Sequence, residues 1–378
     1  MLKIQINLRT ISQNLATVKK KLPPQTKICA VVKANAYGFG DALISQHIVD
    51  EVDYFGVASV WEGKRLRTAN IKKDILVFGV CDDMETAVAN NLIITINSLN
   101  ELQKINEEIT EINLPDELQK INKQKITNKK IRIHIGIDTG MNRFGVKKYS
   151  EFQKIIAALK NNNNISVEGL YTHFAFETNN LPEVKAQIEK FGKFVKLFKK
   201  YFPFGIIHGA SSGTIDYPPA IYDMVRVGKA LYGGIDGTDT AVTVQSKIVA
   251  VKQLRAGERV SYNGEFVATK PTVIGIVAGG YADGIDMRFS GHSFVLVDNN
   301  FCQIVARNCM DCFAIILPHN KNMIGKTVWI ISARNGQTLM DIYHKTNIIV
   351  CDILCGIKHT RAEVTIEDCN EQGRVGAL

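Results

Sequence analysis

The stretch "AVVKANAYGFG", Ala30–Gly40, decides how the rest of the chain is read. Ala30, Val31 and Val32 end an apolar run of strand length, and Lys33 stands where that run stops. Tyr37 and two glycines follow, and Asp41–Asp50 reads as a helix. A strand that passes through a short loop into a helix is one βα unit. A lysine at the carboxyl end of such a strand lies where the loops of a parallel barrel build their sites. The ordinary use of a lysine there is to carry its ammonium to water along an apolar stem. The chemical use is as an amine, because burial favours the neutral form that Schiff-base chemistry needs.

Outward from this unit the pattern repeats. "KICAVVKA", "YFGVAS", "ILVFG", "LIITI", "IRIHIGID", "VEGLYTHF", "GIIHGAS" and "MVRVGKALYG" read as strands, with helical segments such as Glu62–Ala69 and Leu181–Tyr201 between several of them. Eight strands alternating with helices predict an α/β fold, an N-terminal (β/α)8 barrel over residues 8–236. A doubly wound open sheet is the competing architecture, but no GxGxxG opens the first helix. After about Gly237 short strands follow one another, split by Gly, Asn and Asp turns, with little helix before "LMDIYHK". Residues 237–378, together with residues 1–7, are therefore expected to form a C-terminal all-β domain. At 378 residues the chain is long enough for both.

Other features narrow the function. "ELQKIN" occurs at 101–106 and again at 117–122, with "KQKITNKK" after it, which reads as a solvated helix and loop between two barrel strands. The formal net charge of +9 comes from scattered lysines, locally dense in "VKKK" (18–21) and "KLFKK" (196–200). No arginine–aromatic motif accompanies them, so a solvated surface is expected rather than nucleic-acid binding. No run approaches the roughly 18 apolar residues of a membrane span, and the N-terminus lacks a signal-peptide core, so no membrane association and a cytoplasmic location are expected. The eight cysteines then read as free thiols. Cys309 and Cys312 form a CxxC, and Cys351 and Cys355 a CxxxC. Strand alternation across "NCMDCFAIIL" sends the first two thiols to opposite faces, and no Gly or Pro knuckle is present, so no metal is expected. "HGASSGT" (208–214) and "RVGKALYGG" (226–234) offer hydroxyls and backbone amides for an anion after the late barrel strands.

In order along the chain, "VVKANAYGFG", "DTGMNRFG", "THFA", "VRVGKALYG", "VSYNGEF", "GGYADG" and "CMD" resemble alanine racemase, a pyridoxal 5′-phosphate (PLP) enzyme, from about residue 5 to residue 364. The resemblance implies a homodimer of barrel-plus-β-domain subunits acting on a small amino acid. It assigns Lys33 to the cofactor's aldehyde, Tyr37, Ser212, Gly228 and Lys229 to its phosphate, His173 to the neighbourhood of its ring, and Arg226 to the ring nitrogen. Guanidinium does not surrender its proton, so the ring nitrogen stays unprotonated and the electron sink stays weak, which disfavours side reactions such as transamination. Racemisation needs two bases, one for each face of Cα. Lys33 and Tyr262 are implied as this pair, Tyr262 coming from the partner's β-domain. A free phenol is a poor base at neutral pH, so cationic neighbours are expected, with His173 and Arg226 as candidates. Arg143 is implied at the substrate carboxylate, joined by Met310 and Asp311 from the partner, and Tyr281 at the entrance. The implied role is D-alanine supply for peptidoglycan. A broader amino-acid racemase and a non-catalytic PLP-binding barrel are the alternatives, and a counterpart of Tyr262 argues against the second.

Three positions depart from the family pattern, the mildest being Ser211 in "HGASSGT", where asparagine is common. Many members carry a carbamylated lysine two residues before the "DTGM" aspartate, holding the arginine. Here Gly136 stands there, so Arg143 needs another orienting group, and a response of activity to chloride is expected. Before the acidic residue of "IIVCDILC" the family often has a tyrosine that reaches the phosphate. Cys351 is smaller, so some tolerance for serine or larger side chains is expected.

Overall fold

The computed structural model describes residues 2–112, 130–319, 322–333, 336–368 and 371–374. The second copy of the repeated hexapeptide, 117–122, lies outside them, while the first copy falls within the helix Leu99–Ile112. The chain divides into two compact units, one of residues 18–36 and 41–228, the other of 1–17, 37–40 and 229–378.

In the first unit eight strands run parallel: Lys27–Val31, Tyr54–Val57, Asp74–Val77, Ile93–Ile96, Ile131–Ile137, Ile165–Thr172, Ile206–Ser211 and Met224–Val227. The last pairs with the first, Lys27 against Met224 and Ala30 against Val227, and the barrel closes. Closure puts Arg226 opposite Cys29 on one side and Ser211 on the other. The outer helices bury one stripe each. Leu181–Tyr201 turns Val184, Gln187, Phe191, Phe194 and Phe198 inward, at the spacing of three and four that one helix face requires. Phe191 and Phe198 are fully buried, and truncating either to alanine is expected to cost about 3–5 kcal/mol. At the amino end of the barrel, Arg132 is fixed by ions: Nη1 to Asp74 (2.6 Å), Nε and Nη2 to the two oxygens of Glu168 (2.8 Å each).

The second unit is built on the long strand Val242–Leu254. One edge of it pairs with Thr272–Ala278, which leads through Cys312–Leu317, Asn300–Val305, Phe294–Val297 and Thr327–Ile331 back to Val242–Leu254. All six pairings in this ring are antiparallel. Near its start the long strand also takes up the chain's first strand, Leu2–Asn7, which lies parallel to Ala362–Asp368 on its far side. Helices Leu339–Thr346 and Val350–Gly356 complete this unit.

Candidate active site

The first barrel strand ends at Val31, two residues before Lys33. Lys33 opens a turn in which Ala34, Asn35, Ala36 and Tyr37 all have φ between 53° and 58°. Left-handed backbone costs roughly 1–2 kcal/mol for each residue with a Cβ, so the turn is strained and its surroundings must hold it. Ala36 N–H donates back to Val32 O (2.8 Å) and Ala34 N–H to Glu62 Oε1 (2.8 Å). Asn35 Oδ1 accepts from Asp41 N–H (3.1 Å) and from Arg65 Nη2 (2.6 Å), which also reaches the buried Asp41 carboxylate. Lys33 is half-buried at this site.

Around the barrel from Lys33 stands Arg226, only 4% exposed. Its Nη1 donates to His208 Nδ1 (2.6 Å), and its Nη2 to the carbonyls of Thr172 (2.7 Å) and Gly209 (2.9 Å), with His173 Nδ1 at 3.4 Å. Burial, reinforced by the Arg226 charge, drives His208 well below the ordinary range, so it is neutral. A neutral His208 that accepts at Nδ1 must carry its proton on Nε2, and that proton is donated to His134 Nδ1 (2.9 Å). His134, held neutral by burial at about 3, carries its own proton on Nε2, where no acceptor meets it among the described residues. Gly169 makes room for this ring, since a Cβ there would lie 2.6 Å from it. Tyr171 stacks flat on His208 at 4.9 Å, with Arg226 5.3 Å from the Tyr171 ring centre. Among the described residues the groups that hydrogen-bond Arg226 are uncharged, and no carboxylate pairs with it. Burial lowers its pKa to about 10, which leaves it protonated at neutral pH.

His173 is pushed down to about 3 by burial first and then by the charges of Arg226, Arg143 and Lys33. Three of the residues singled out in sequence thus surround a fourth. The same value corrects one expectation, because a neutral His173 supplies no positive charge to a nearby phenol. Gly228 N–H donates to the buried Ser212 Oγ (3.1 Å), joining the two late loops. Arg143 is exposed on a loop whose base is tied by Asp138 Oδ1, accepting from Gly140 and Asn142 N–H at 2.9 and 3.0 Å. Beside Gly136 the space is tight: a Cβ would lie 3.0 Å from Asn97 Oδ1 and 3.3 Å from Thr95 Cγ2. Asn97 Oδ1 is itself buried without a hydrogen-bond partner.

The remaining predicted residues lie in the second unit. The Tyr37 ring packs at a tilt on Tyr232, 5.5 Å between centres, and burial raises its phenol. Cys351 and Cys355 raise it further by their charge. Lys229 opens the short turn Lys229–Tyr232. Tyr262, Tyr281 and Met310 are 62%, 41% and 51% exposed, and their segments are bonded together. Tyr281 N–H donates to Cys309 O (3.1 Å), Ala282 N–H to Met310 O (3.1 Å) and Gly279 N–H to Asp311 O (2.8 Å). The approach is so close that a Cβ on Gly280 would lie 2.1 Å from Cys309 O. Ser261, just before Tyr262, donates through Oγ to Arg307 O (2.6 Å). Arg361 ties the two loops by charge, to Asp311 Oδ1 (2.5 Å) and Asp283 Oδ1 (3.3 Å).

One contact escapes the sequence, and one sequence reading misses. Arg361, a lone arginine near a strand start, carries no local signal of its partners. The two CxxC thiols do not go to opposite faces, because the strand begins only at Cys312. Met310 and Asp311 form a tight turn before it, across which Cys309 N–H donates to Cys312 O (2.9 Å).

Comparison with known proteins agrees with this arrangement over nearly the whole length. Residues 6–236 match the family model of the alanine racemase N-terminal domain, and residues 241–365 that of the C-terminal domain. An alanine racemase of Streptococcus pyogenes serotype M1 is 32% identical over 370 residues, covering 93% of this chain and 94% of the relative. Among solved structures, the alanine racemase of Clostridium difficile 630 superposes with a TM-score of 0.81 at 29% identity, covering 97% and 96% of the two chains. That of Bacillus anthracis with bound L-Ala-P gives 0.80 at 26% identity, covering 97% and 95%. With both of its units matched in order and a relative at this identity nearly end to end, the chain belongs to the alanine racemase family.

Proposed function

We propose that this chain interconverts L-alanine and D-alanine with PLP as cofactor, by a two-base mechanism in a cytoplasmic homodimer that supplies D-alanine for peptidoglycan. The observation that carries the reading is Arg226, a buried cation with only uncharged partners in the barrel. A desolvated charge without a counter-ion is costly, and such cost is tolerated where a ligand needs it. The donor set fits the cofactor: an amine on Lys33 for an aldehyde, a guanidinium on Arg226 for a ring nitrogen, and the Ser212 hydroxyl and Gly228 amide for a phosphate. When bound, PLP supplies a carbonyl that captures the substrate amine and a ring that takes up the electron pair left at Cα.

The chain's own residues do the rest. Arg226 donates a hydrogen bond without giving up its proton, so the ring remains a restrained electron sink. Lys33 Nζ removes or returns the Cα proton on one face, and Tyr262 Oη of the partner does so on the other. Tyrosine takes the proton from the L-isomer and lysine from the D-isomer. Arg143 holds the substrate carboxylate together with Met310 and the Asp311 amide of the partner, and Tyr281 lines the entrance. The exposure of Tyr262, Tyr281 and Met310 on one bonded pair of loops supports their delivery to a second copy. Neutral His173 lies beside the ring, and Tyr37 and Lys229 join Ser212 and Gly228 at the phosphate.

The test is D-alanine formation from L-alanine by purified protein with added PLP, with L-serine run in parallel. Rapid alanine turnover is expected, with slower serine turnover because Cys351 is small. Serine turnover equal to that of alanine would make the protein a broader amino-acid racemase. No turnover of either, with PLP bound, would overturn the reading.

A further inference from the structure

We propose that Cys309 and Cys312 are a redox-active dithiol, which a hydroperoxide converts to a disulfide that closes a ring around Met310 and Asp311. The backbone is already set for the bond. Cys309 N–H donates to Cys312 O at 2.9 Å across a two-residue turn. The bond draws the two backbones together across the turn, and a disulfide spans Cα atoms roughly 4.4–6.8 Å apart. Both thiols are free and half-buried.

A chain of donors fixes which thiol is which. Ser261 gives its only hydroxyl proton to Arg307 O (2.6 Å), so towards Cys309 Sγ, 3.6 Å away, it can only accept. Cys309 therefore donates to Ser261. Burial and the neighbouring charges of Cys309 and Asp311 hold the Cys312 thiol protonated, which leaves Cys309 as the attacking sulfur. The Cys309 thiolate attacks one peroxide oxygen. The S–O bond forms, the O–O bond breaks, and hydroxide leaves as water after taking a proton. The Cys312 sulfur then attacks the Cys309 sulfenic acid. The S–S bond forms, the S–O bond breaks, and a second water leaves with the Cys312 proton. In sum two thiols and one hydrogen peroxide give one disulfide and two waters.

Oxidation removes the thiol proton that Ser261 accepts, next to Tyr262, and locks the turn that presents Met310. The effect on turnover rests on the function proposed above, whereas the chemistry of the thiols does not. Purified full-length protein is treated with hydrogen peroxide, its remaining thiols are alkylated, and peptides are mapped by mass. The expected result is a peptide linking Cys309 to Cys312, two hydrogens lighter than the dithiol and restored by dithiothreitol. Cys312→Ser and Cys312→Ala should lack it. Racemase activity measured on the same samples should fall about tenfold or more in the oxidised wild type, as a misplaced reacting group implies, recover on reduction, and persist in both variants. Peroxide that leaves both thiols alkylatable, or links them only to other cysteines, would overturn the proposal. A mapped disulfide in a protein that turns over no alanine even when reduced would leave this proposal standing and overturn the proposed function instead.

Discussion

The two ends of the barrel each hold a buried or half-buried arginine, and they treat it in opposite ways. Arg132, at the amino end, meets Asp74 and both oxygens of Glu168, so its charge is cancelled by residues that never change partner. Arg226, at the carboxyl end, meets two carbonyls and a neutral histidine, and its charge is left uncancelled. The first arrangement makes a rigid floor. The second holds a cation in position for something that arrives later. A barrel places its stabilising ions and its chemistry at opposite ends for this reason, since a guanidinium satisfied by carboxylates has nothing left to offer a ligand.

The largest effect expected at the carboxyl end comes from Lys33→Ala, which should lower alanine turnover by about 10⁴-fold or more, since it removes both the amine and one base. Circular dichroism should show the barrel intact, and turnover within tenfold of wild type would place the chemistry elsewhere. The comparison is sharpened by paired substitutions. Arg132→Met should cost about 3 kcal/mol in urea unfolding, because two carboxylates lose their cation, while the folded variant stays active. Arg226→Met should cost under about 1 kcal/mol by the same measurement, since an uncompensated charge leaves with it, but activity should collapse. Equal stability losses would break the contrast between the two ends.

Acid should weaken the carboxyl end next. His134 and His173 are held at about 3 in the folded protein and His208 is also well below the ordinary value, whereas unfolded histidine titrates near 6.5. The folded state thus binds fewer protons, so stability is full above about pH 6.5 and is lost as pH falls towards 3. Unfolding in urea at pH 7 and pH 5 should differ by about 1–2 kcal/mol for each of the three histidines. A flat profile would mean that they are charged in the native barrel. The smallest effect belongs to Gly136→Ala, which should cost about 1 kcal/mol because its methyl meets Asn97 and Thr95 in a close-packed wall. A stabilised variant would show that the wall has room.

How much of this was legible in sequence depends on whether the determinant is local. The eight strands and the helix Leu181–Tyr201 follow from apolar runs and periodicity, and Lys33 and Arg226 from motifs. The left-handed turn 34–37 was not legible, because Ala-Asn-Ala-Tyr contains no glycine and is forced by Glu62 and Arg65 from another helix. The His134–His208 relay was hidden for the same reason, since each histidine on its own strand reads as an isolated polar residue. Alternation failed at Cys309 because it presumes a strand that starts three residues too early. Arg361 bonds Asp311 and Asp283, at 50 and 78 residues' distance along the chain, and nothing beside it in sequence announces either.

The strand Leu2–Asn7 has a consequence for synthesis. Its parallel partner starts at Ala362, roughly 350 residues later. At about 5–20 residues per second the ribosome takes on the order of 20–70 s to reach it. The barrel strands, all between residues 27 and 227, can find one another without waiting for the chain's end. Leu2–Asn7 is made long before its parallel partner and waits for it. Throughout that interval the edge it offers to Ala362–Asp368 is open, and whatever shields it then, a chaperone or a transient local contact, acts on the six residues Leu2–Asn7.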